Sequence, residues 1–170
     1  MKSSKIQNVE NLFSIEEISE FIDVTKNTQC EYPTQNDDGY QNYYVRYILN
    51  DFYNHKIKLE KMIFDKYKKN YNLLDNAWIN KVTKDTNTKD KYHYDTSDLT
   101  IITYLNDDFV GGNFEYIDSK GHITKLKPKK GMSIIMDNNL FHKVSPVHSG
   151  ERLSLVCFFG LPKKENKSII

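Results

Sequence analysis

The triplet His93-Tyr94-Asp95 is followed, 47 residues after its aspartate, by His142, and ten residues further on by Arg152. Two imidazoles and one carboxylate on a rigid scaffold can occupy three adjacent corners of an octahedral iron and leave three corners for chemistry. Alternate side chains of a strand share a face, so His93 and Asp95 point one way and Tyr94 the other. His142, from a different strand, then closes the third corner. These residue types at this spacing argue for non-haem iron oxygenase chemistry.

Arg152 adds a second function. Of 24 basic residues only Arg46 and Arg152 are arginine. A chain that otherwise uses lysine has a planar, bidentate fork at this point, suited to gripping a carboxylate through two charge-assisted hydrogen bonds. Ser154, two residues on, faces the same way and can donate a third. The plainer alternative is a surface ion pair with Glu151, which would contribute little.

The elements that must position these groups change period along the chain. Ser14 and Glu17 have capping-box spacing, and Ile15, Ile18, Phe21 and Ile22 trace one apolar face, which predicts a helix over residues 14–27. Residues 28–41, with Pro33, Asp37, Asp38 and Gly39, read as a loop. Val45, Ile48, Leu49, Phe52, Leu59, Met62 and Ile63 predict a longer helix over residues 42–69. Strand patterns then follow at 77–83, 92–95, 99–105, 113–118, 122–126, 132–136, 141–145 and 152–159. Turn residues such as Asn106-Asp107-Asp108, Gly111-Gly112 and Lys130-Gly131 separate them. Short, regularly spaced strands indicate a β-sandwich or jelly roll. The last strand is apolar on both faces, which fits two helices packed on the outside of its sheet. The expected fold is mainly β (α+β), one domain over 1–170, with a helical support at about 14–70 and a β core at about 76–160.

Composition removes other classes. Hydrophobic content of 38% and aromatic content of 13% favour a globular chain. A net charge of +1 gives no general field for nucleic acid or membrane. Lys125, Lys127, Lys129 and Lys130 read as a solvated hairpin, since no aromatic platform accompanies them. Cys30 and Cys157 are too few for a disulfide framework, and Cys157 reads as a small buried hydrophobe. No signal peptide or apolar run of membrane length is present, so a cytoplasmic location is expected. His55 and His122 read as structural or exposed. His148 is the alternative third ligand, but the strand pattern favours His142. Trp78 and Tyr92 read either as lining of the pocket mouth or as core, with the core the expected place.

Over residues 78–159 the chain resembles the iron(II)- and 2-oxoglutarate-dependent oxygenases, specifically the prolyl 4-hydroxylase-like branch. The residues that carry the resemblance are His93-Tyr94-Asp95, Tyr104-Leu105-Asn106 with Gly111-Gly112-Asn113-Phe114, Pro128-Lys129-Lys130-Gly131, Phe141-His142-Lys143-Val144-Ser145-Pro146, and Gly150-Glu151-Arg152-Leu153-Ser154. The resemblance implies a double-stranded β-helix with iron(II) held by His93, Asp95 and His142. It also implies that Arg152 binds the distal carboxylate of 2-oxoglutarate, with Tyr104 as second partner. The implied reaction consumes O2 and 2-oxoglutarate, releases succinate and CO2 and hydroxylates an unactivated C–H bond, with ascorbate as an accessory. A residue in a protein or peptide, proline first, is the expected substrate. A free amino acid or other small metabolite is the alternative, and a non-catalytic jelly-roll metal-binding module is the alternative of another class. Two positions depart from the prolyl hydroxylase pattern. Several of those enzymes have lysine where Arg152 stands, and the polar run 82–91 replaces a Gly/Tyr-rich stretch.

Overall fold

Strand β1 (Ile6–Glu10) leads into a helix whose cap follows from two side chains. The Glu17 N–H donates to Ser14 Oγ at 3.2 Å, and the Ser14 N–H donates to Glu17 Oε2 at 2.6 Å. Helix α1 (Ile15–Asn27) then buries Ile18 and Phe21. The computed structural model describes residues 6–27, 45–49, 51–74, 77–85 and 91–162. The expected loop at 28–41, with Cys30, lies outside them.

The expected helix at 42–69 is shorter than its pattern. Strand β2 (Val45–Ile48) pairs antiparallel with β4 (Trp78–Thr83), and helix α2 covers Tyr53–Tyr67; residues 42–44 and 50 are outside the described set. Val45, Ile48 and Leu49 fit a helical period, but Tyr47 and Leu49 also share one strand face, and both are buried there. A short apolar run satisfies either period. The available edge of β4 decides the matter: the Leu49 N–H donates to the Ala77 carbonyl at 3.0 Å. Helix α2 buries Leu59 and Ile63 and ends at Lys68, whose left-handed backbone closes a bond to the Phe64 carbonyl at 2.8 Å.

The remaining strands are β3 (Asn72–Leu73), β5 (Leu99–Tyr104), β6 (Val110–Gly111), β7 (Phe114–Ile117), β8 (Ile123–Leu126), β9 (Met132–Asp137), β10 (Phe141–Val144), β11 (Val147–Ser149) and β12 (Glu151–Gly160). A large antiparallel sheet runs β1-β9-β5-β12-β4-β2, with β3 also on β12. A smaller sheet runs β10-β7-β8, and β11 pairs with β6. Of the strand expected at 92–95 only an isolated bridge between His93 and His142 forms. Strands β1, β3, β6 and β11 have no counterpart in the sequence reading.

This is the double-stranded β-helix, or jelly roll, with both helices outside the large sheet. Ten-residue β12 shows why. Leu153, Leu155, Cys157 and Phe159 pack in one core with Ile18, Phe21, Leu59 and Ile63 of the helices. The alternate face carries Arg152, Ser154, Val156 and Phe158 into the space between the sheets. A second core there joins Tyr104, Ile134 and Met136 of the large sheet to Phe114 of the small one. Burial pushes the Cys157 thiol upward, which keeps it protonated and inert. Among the described residues no helix is long and apolar enough to cross a membrane.

Candidate metal and co-substrate site

His93 and His142 come together as a directly opposed antiparallel pair. The His93 N–H donates to the His142 carbonyl at 2.8 Å, and the His142 N–H donates back at 3.0 Å. Opposed residues project on the same side, so the two rings lie side by side with centroids 4.5 Å apart. A single bridge thus does what an extended strand would have done.

Each ring is then oriented by a carbonyl. His93 Nδ1 lies 3.1 Å from the Lys91 oxygen and His142 Nδ1 lies 3.0 Å from the Leu140 oxygen. A carbonyl only accepts, so Nδ1 carries the proton and both Nε2 lone pairs face Asp95. Asp95 Oδ1 is 3.8 Å from His93 Nε2 and 3.9 Å from His142 Nε2. The three ligand atoms lie within 4.8 Å of one another. Burial holds the His142 imidazole below its usual pKa against the opposing pull of the Leu140 carbonyl and Asp95, which favours the neutral form that coordinates. Phe114 stacks on the His142 ring at 5.3 Å and 21°. His142 is 5% exposed and His93 57%, so the cluster opens to solvent on the His93 side. Two imidazoles and a carboxylate are a donor set that suits iron(II).

The second carboxylate oxygen is also engaged. Thr100 Oγ1 donates to Asp95 Oδ2 at 2.6 Å and lies 2.8 Å from Ser97 Oγ. An ionised carboxylate only accepts, so the Thr100 proton goes to Asp95 and the Ser97 proton goes to Thr100. Both hydroxyls are buried. This chain leaves Oδ1 as the oxygen turned to the imidazoles. Thr100→Val is therefore expected to weaken divalent-metal binding by roughly 10- to 100-fold, read by calorimetry, whereas Thr100→Ser should stay near the parent value.

Arg152 lies on the inner face of β12 and is 6% exposed. Its backbone is pinned on both sides by one side chain: Asn106 Nδ2 donates to the Glu151 carbonyl at 2.7 Å, and the Leu153 N–H donates to Asn106 Oδ1 at 2.8 Å. Glu151 pairs with Lys81 at 2.6 Å, which removes the surface-pair alternative for Arg152. Tyr104 and Asn80 flank Ser154 directly, one on each neighbouring strand. Arg152 Nε and Nη1 and the Tyr104 hydroxyl are buried and have no hydrogen-bond partner among the described residues. Burial pushes the Tyr104 phenol up to about 12 and pulls the guanidinium down from its usual range, each partly offset by the other. Tyr104 is thus a neutral donor and Arg152 a cation. A buried cation with open donors calls for an anion. Close packing shapes this place: a methyl group on Gly112, whose φ is +62°, would sit 3.3 Å from Arg152 Cδ, and one on Gly111 would run into the Pro146 carbonyl.

Three of the six candidate residues, His93, Asp95 and His142, form the cluster described, and Tyr104, Arg152 and Ser154 share the adjoining sheet face. His148 is exposed on β11 and takes no part in the cluster. His55 packs against Phe13, Phe21 and Phe52, and His122 sits in an exposed turn beside Asp118. Tyr92 is half-buried outside the small sheet, where it donates to Glu115 at 3.4 Å. Thr100, Ser97 and Asn106 escaped the sequence reading. Strand hydroxyls carry no spacing signal, and Asn106 reads as a turn residue.

The sequence profile of the 2OG-Fe(II) oxygenase superfamily matches residues 77–160. No curated protein matches the chain in sequence. Among solved structures, HygX from Streptomyces hygroscopicus, with nickel, 2-oxoglutarate and hygromycin B bound, superimposes with a TM-score of 0.73 at 14% identity, covering 95% of this chain and 84% of that one. A prolyl-4-hydroxylase of Pseudomonas putida gives 0.73 at 13% identity, over 92% and 93% of the two chains. A prolyl hydroxylase from Trichoplax adhaerens, in complex with a peptide fragment of the hypoxia inducible factor oxygen degradation domain, gives 0.71 at 11% identity, over 91% and 83%. The matched span runs from the strand opposite Ser154 to the end of the strand carrying Arg152, and the chain belongs to the 2OG-Fe(II) oxygenase superfamily, whose cofactors are iron(II) and 2-oxoglutarate.

Proposed function

We propose that this dioxygenase hydroxylates an unactivated C–H bond on a residue of a protein or peptide, with proline as first candidate. His93 Nε2, Asp95 Oδ1 and His142 Nε2 hold the iron, and Arg152, Tyr104 and Ser154 hold the distal carboxylate of 2-oxoglutarate. The observation that carries this reading is the buried Arg152 guanidinium, with Nε, Nη1 and the Tyr104 hydroxyl lacking any partner among the described residues. A dicarboxylate supplies both the counter-charge and the acceptors. A merely structural metal module has no use for such a clamp.

Iron(II), when bound, supplies the centre at which O2 oxidises 2-oxoglutarate to succinate and CO2 and the substrate C–H to C–OH. The chain's own groups do the rest. The Lys91 and Leu140 carbonyls fix both imidazole tautomers. Thr100 holds Asp95 in one orientation. Arg152 and Tyr104 anchor the far end of the co-substrate, so its oxo-acid end has a defined position. Phe114 covers His142 and keeps water from that side.

The peptide reading draws on the fold shared with the two prolyl hydroxylases. The fold is equally shared with HygX and its bound hygromycin B, which supports a small molecule as the second reading. The deciding experiment measures succinate formation by iron-loaded protein with proline-containing peptides and with free amino acids. Stimulation by the peptides alone is the expected result; stimulation by free amino acids alone contradicts the first reading.

A further inference from the structure

The atoms assigned to 2-oxoglutarate do not exhaust the unmatched polar groups on the inner face of the large sheet. Trp78 Nε1 and Asn80 Oδ1 are also buried and have no hydrogen-bond partner among the described residues, and Trp78 as a whole is 9% exposed. Buried donors and acceptors are nearly always matched, because an open one costs stability. Trp78 belongs to neither core. Its chain neighbours Ala77 and Ile79 pack with the helices, so the indole between them points into the space between the sheets. Phe158 meets the ring edge-on at 5.1 Å, and the Arg46 side chain covers its face, 4.2 Å from the centre. A ring held on two sides presents its N–H in one direction.

Both residues border the co-substrate clamp. Asn80 is the cross-strand partner of Ser154, and Trp78 is that of Val156. Phe158, which the indole touches, is the partner of Thr100, and Thr100 holds Asp95. A molecule lying beside 2-oxoglutarate and reaching the candidate metal site over Phe158 passes both groups. The co-substrate itself does not answer them: its carboxylates only accept, as Asn80 Oδ1 does, and its assigned partner Tyr104 is on the opposite flank of β12.

The two unmatched atoms have opposite needs. The indole N–H calls for an acceptor and the Asn80 oxygen for a donor. A carboxylate answers only the first, and an ammonium only the second. A lone hydroxyl answers both only where the partners converge on one atom, and here the indole meets Phe158, one register pair further from Asn80 than Val156. A planar amide directs its carbonyl and its N–H to opposite sides and answers both.

The geometry points to an amide-reading subsite: the molecule to be hydroxylated carries a neutral amide whose carbonyl accepts from Trp78 Nε1 and whose N–H donates to Asn80 Oδ1. The inference rests on the metal site proposed above and narrows its substrate class to amide-bearing molecules. Two sources share this chemistry, the backbone of a peptide and the carboxamide of a small molecule.

Trp78 is the chain's single tryptophan, so 15N-labelled protein gives one indole N–H resonance that reports the subsite directly. The probes are amides paired with esters, which keep the carbonyl and lose the N–H: L-prolinamide with L-proline methyl ester, L-glutamine with L-glutamate γ-methyl ester, and acetyl-Gly-Pro-Gly-amide with the depsipeptide in which glycolate replaces the last glycine. Each is titrated into protein loaded with zinc(II), which is diamagnetic, and saturating 2-oxoglutarate. In at least one pair the amide should move the indole resonance downfield and bind roughly 10-fold more tightly than its ester. Asn80→Leu should equalise amide and ester while keeping the indole shift. Trp78→Phe should weaken both by roughly 10-fold and keep their ratio. A response from the free amides alone identifies a small substrate, and one from the peptide alone a peptide backbone. Equal binding of amide and ester to the parent, an amide that binds without moving the indole signal, or no probe response in protein that binds 2-oxoglutarate overturns the subsite. Loss of 2-oxoglutarate binding in Asn80→Leu also overturns it, by placing Asn80 in the co-substrate clamp. Failure of the parent to bind 2-oxoglutarate is a separate result that removes the proposed function itself.

Discussion

Arg152→Met is expected to raise the melting temperature of the co-substrate-free protein and to abolish the stabilisation that 2-oxoglutarate gives the parent. The guanidinium is buried with two of its nitrogens unmatched. Leaving a buried polar group unsatisfied costs about 1–3 kcal/mol, and replacing a buried charge by an apolar chain of similar volume is often stabilising. For a chain of this size that corresponds to an upward shift of roughly 3–8 °C. The parent should gain about 2.7 kcal/mol when 2-oxoglutarate is present at 100 times its dissociation constant, and the variant should gain almost none. Thermal melts with and without the ligand measure both halves. Metal affinity should persist in Arg152→Met, because none of the three candidate ligand atoms contacts it. Arg152→Lys keeps the charge but loses the fork, and should bind 2-oxoglutarate about 10-fold more weakly. A loss of metal in either variant would show that Arg152 supports the ligands instead.

His142→Ala is expected to remove metal-dependent turnover of 2-oxoglutarate altogether. Its imidazole is buried, its tautomer is set by Leu140, and it sits directly opposite His93. Two donors cannot hold the ion against water as three do, so the metal dissociation constant should rise by at least 100-fold, on the order of 3 kcal/mol. Succinate release and calorimetric metal titration give the readouts. His148→Ala serves as the comparison: that residue lies outside the cluster, and its replacement should leave both quantities unchanged.

Much of this was legible before any coordinates. The capping pair Ser14 and Glu17, the apolar stripe of α1 and the alternation of the later strands each follow from local rules. The double-sided burial of β12 correctly placed the helices outside the large sheet. The stretch Val45–Ile48 misled because its apolar residues satisfy two periods at once, and only the free edge of β4 selects the strand. Strands β1, β3, β6 and β11 are short or mostly polar, and they exist through their partners rather than their own pattern. His93-Tyr94-Asp95 drew attention through its strand-like alternation, yet one bridge to His142 suffices to bring the candidate ligands together. The groups that hold the candidate site in shape were hidden for a related reason. Thr100, Ser97 and Asn106 act through hydrogen bonds to other side chains or to distant backbone, and no linear spacing encodes those contacts. Trp78 read as core and is indeed buried, but its unmatched indole N–H appears only once the sheet is assembled.

Crystals grown anaerobically with iron(II) and 2-oxoglutarate, with data collected on both sides of the iron absorption edge, bear most directly on the central claim. The account predicts one anomalous peak within bonding distance of His93 Nε2, Asp95 Oδ1 and His142 Nε2, with a dicarboxylate running from it to Arg152. An iron bound elsewhere, or a chain that binds 2-oxoglutarate with these three side chains uninvolved, would contradict it.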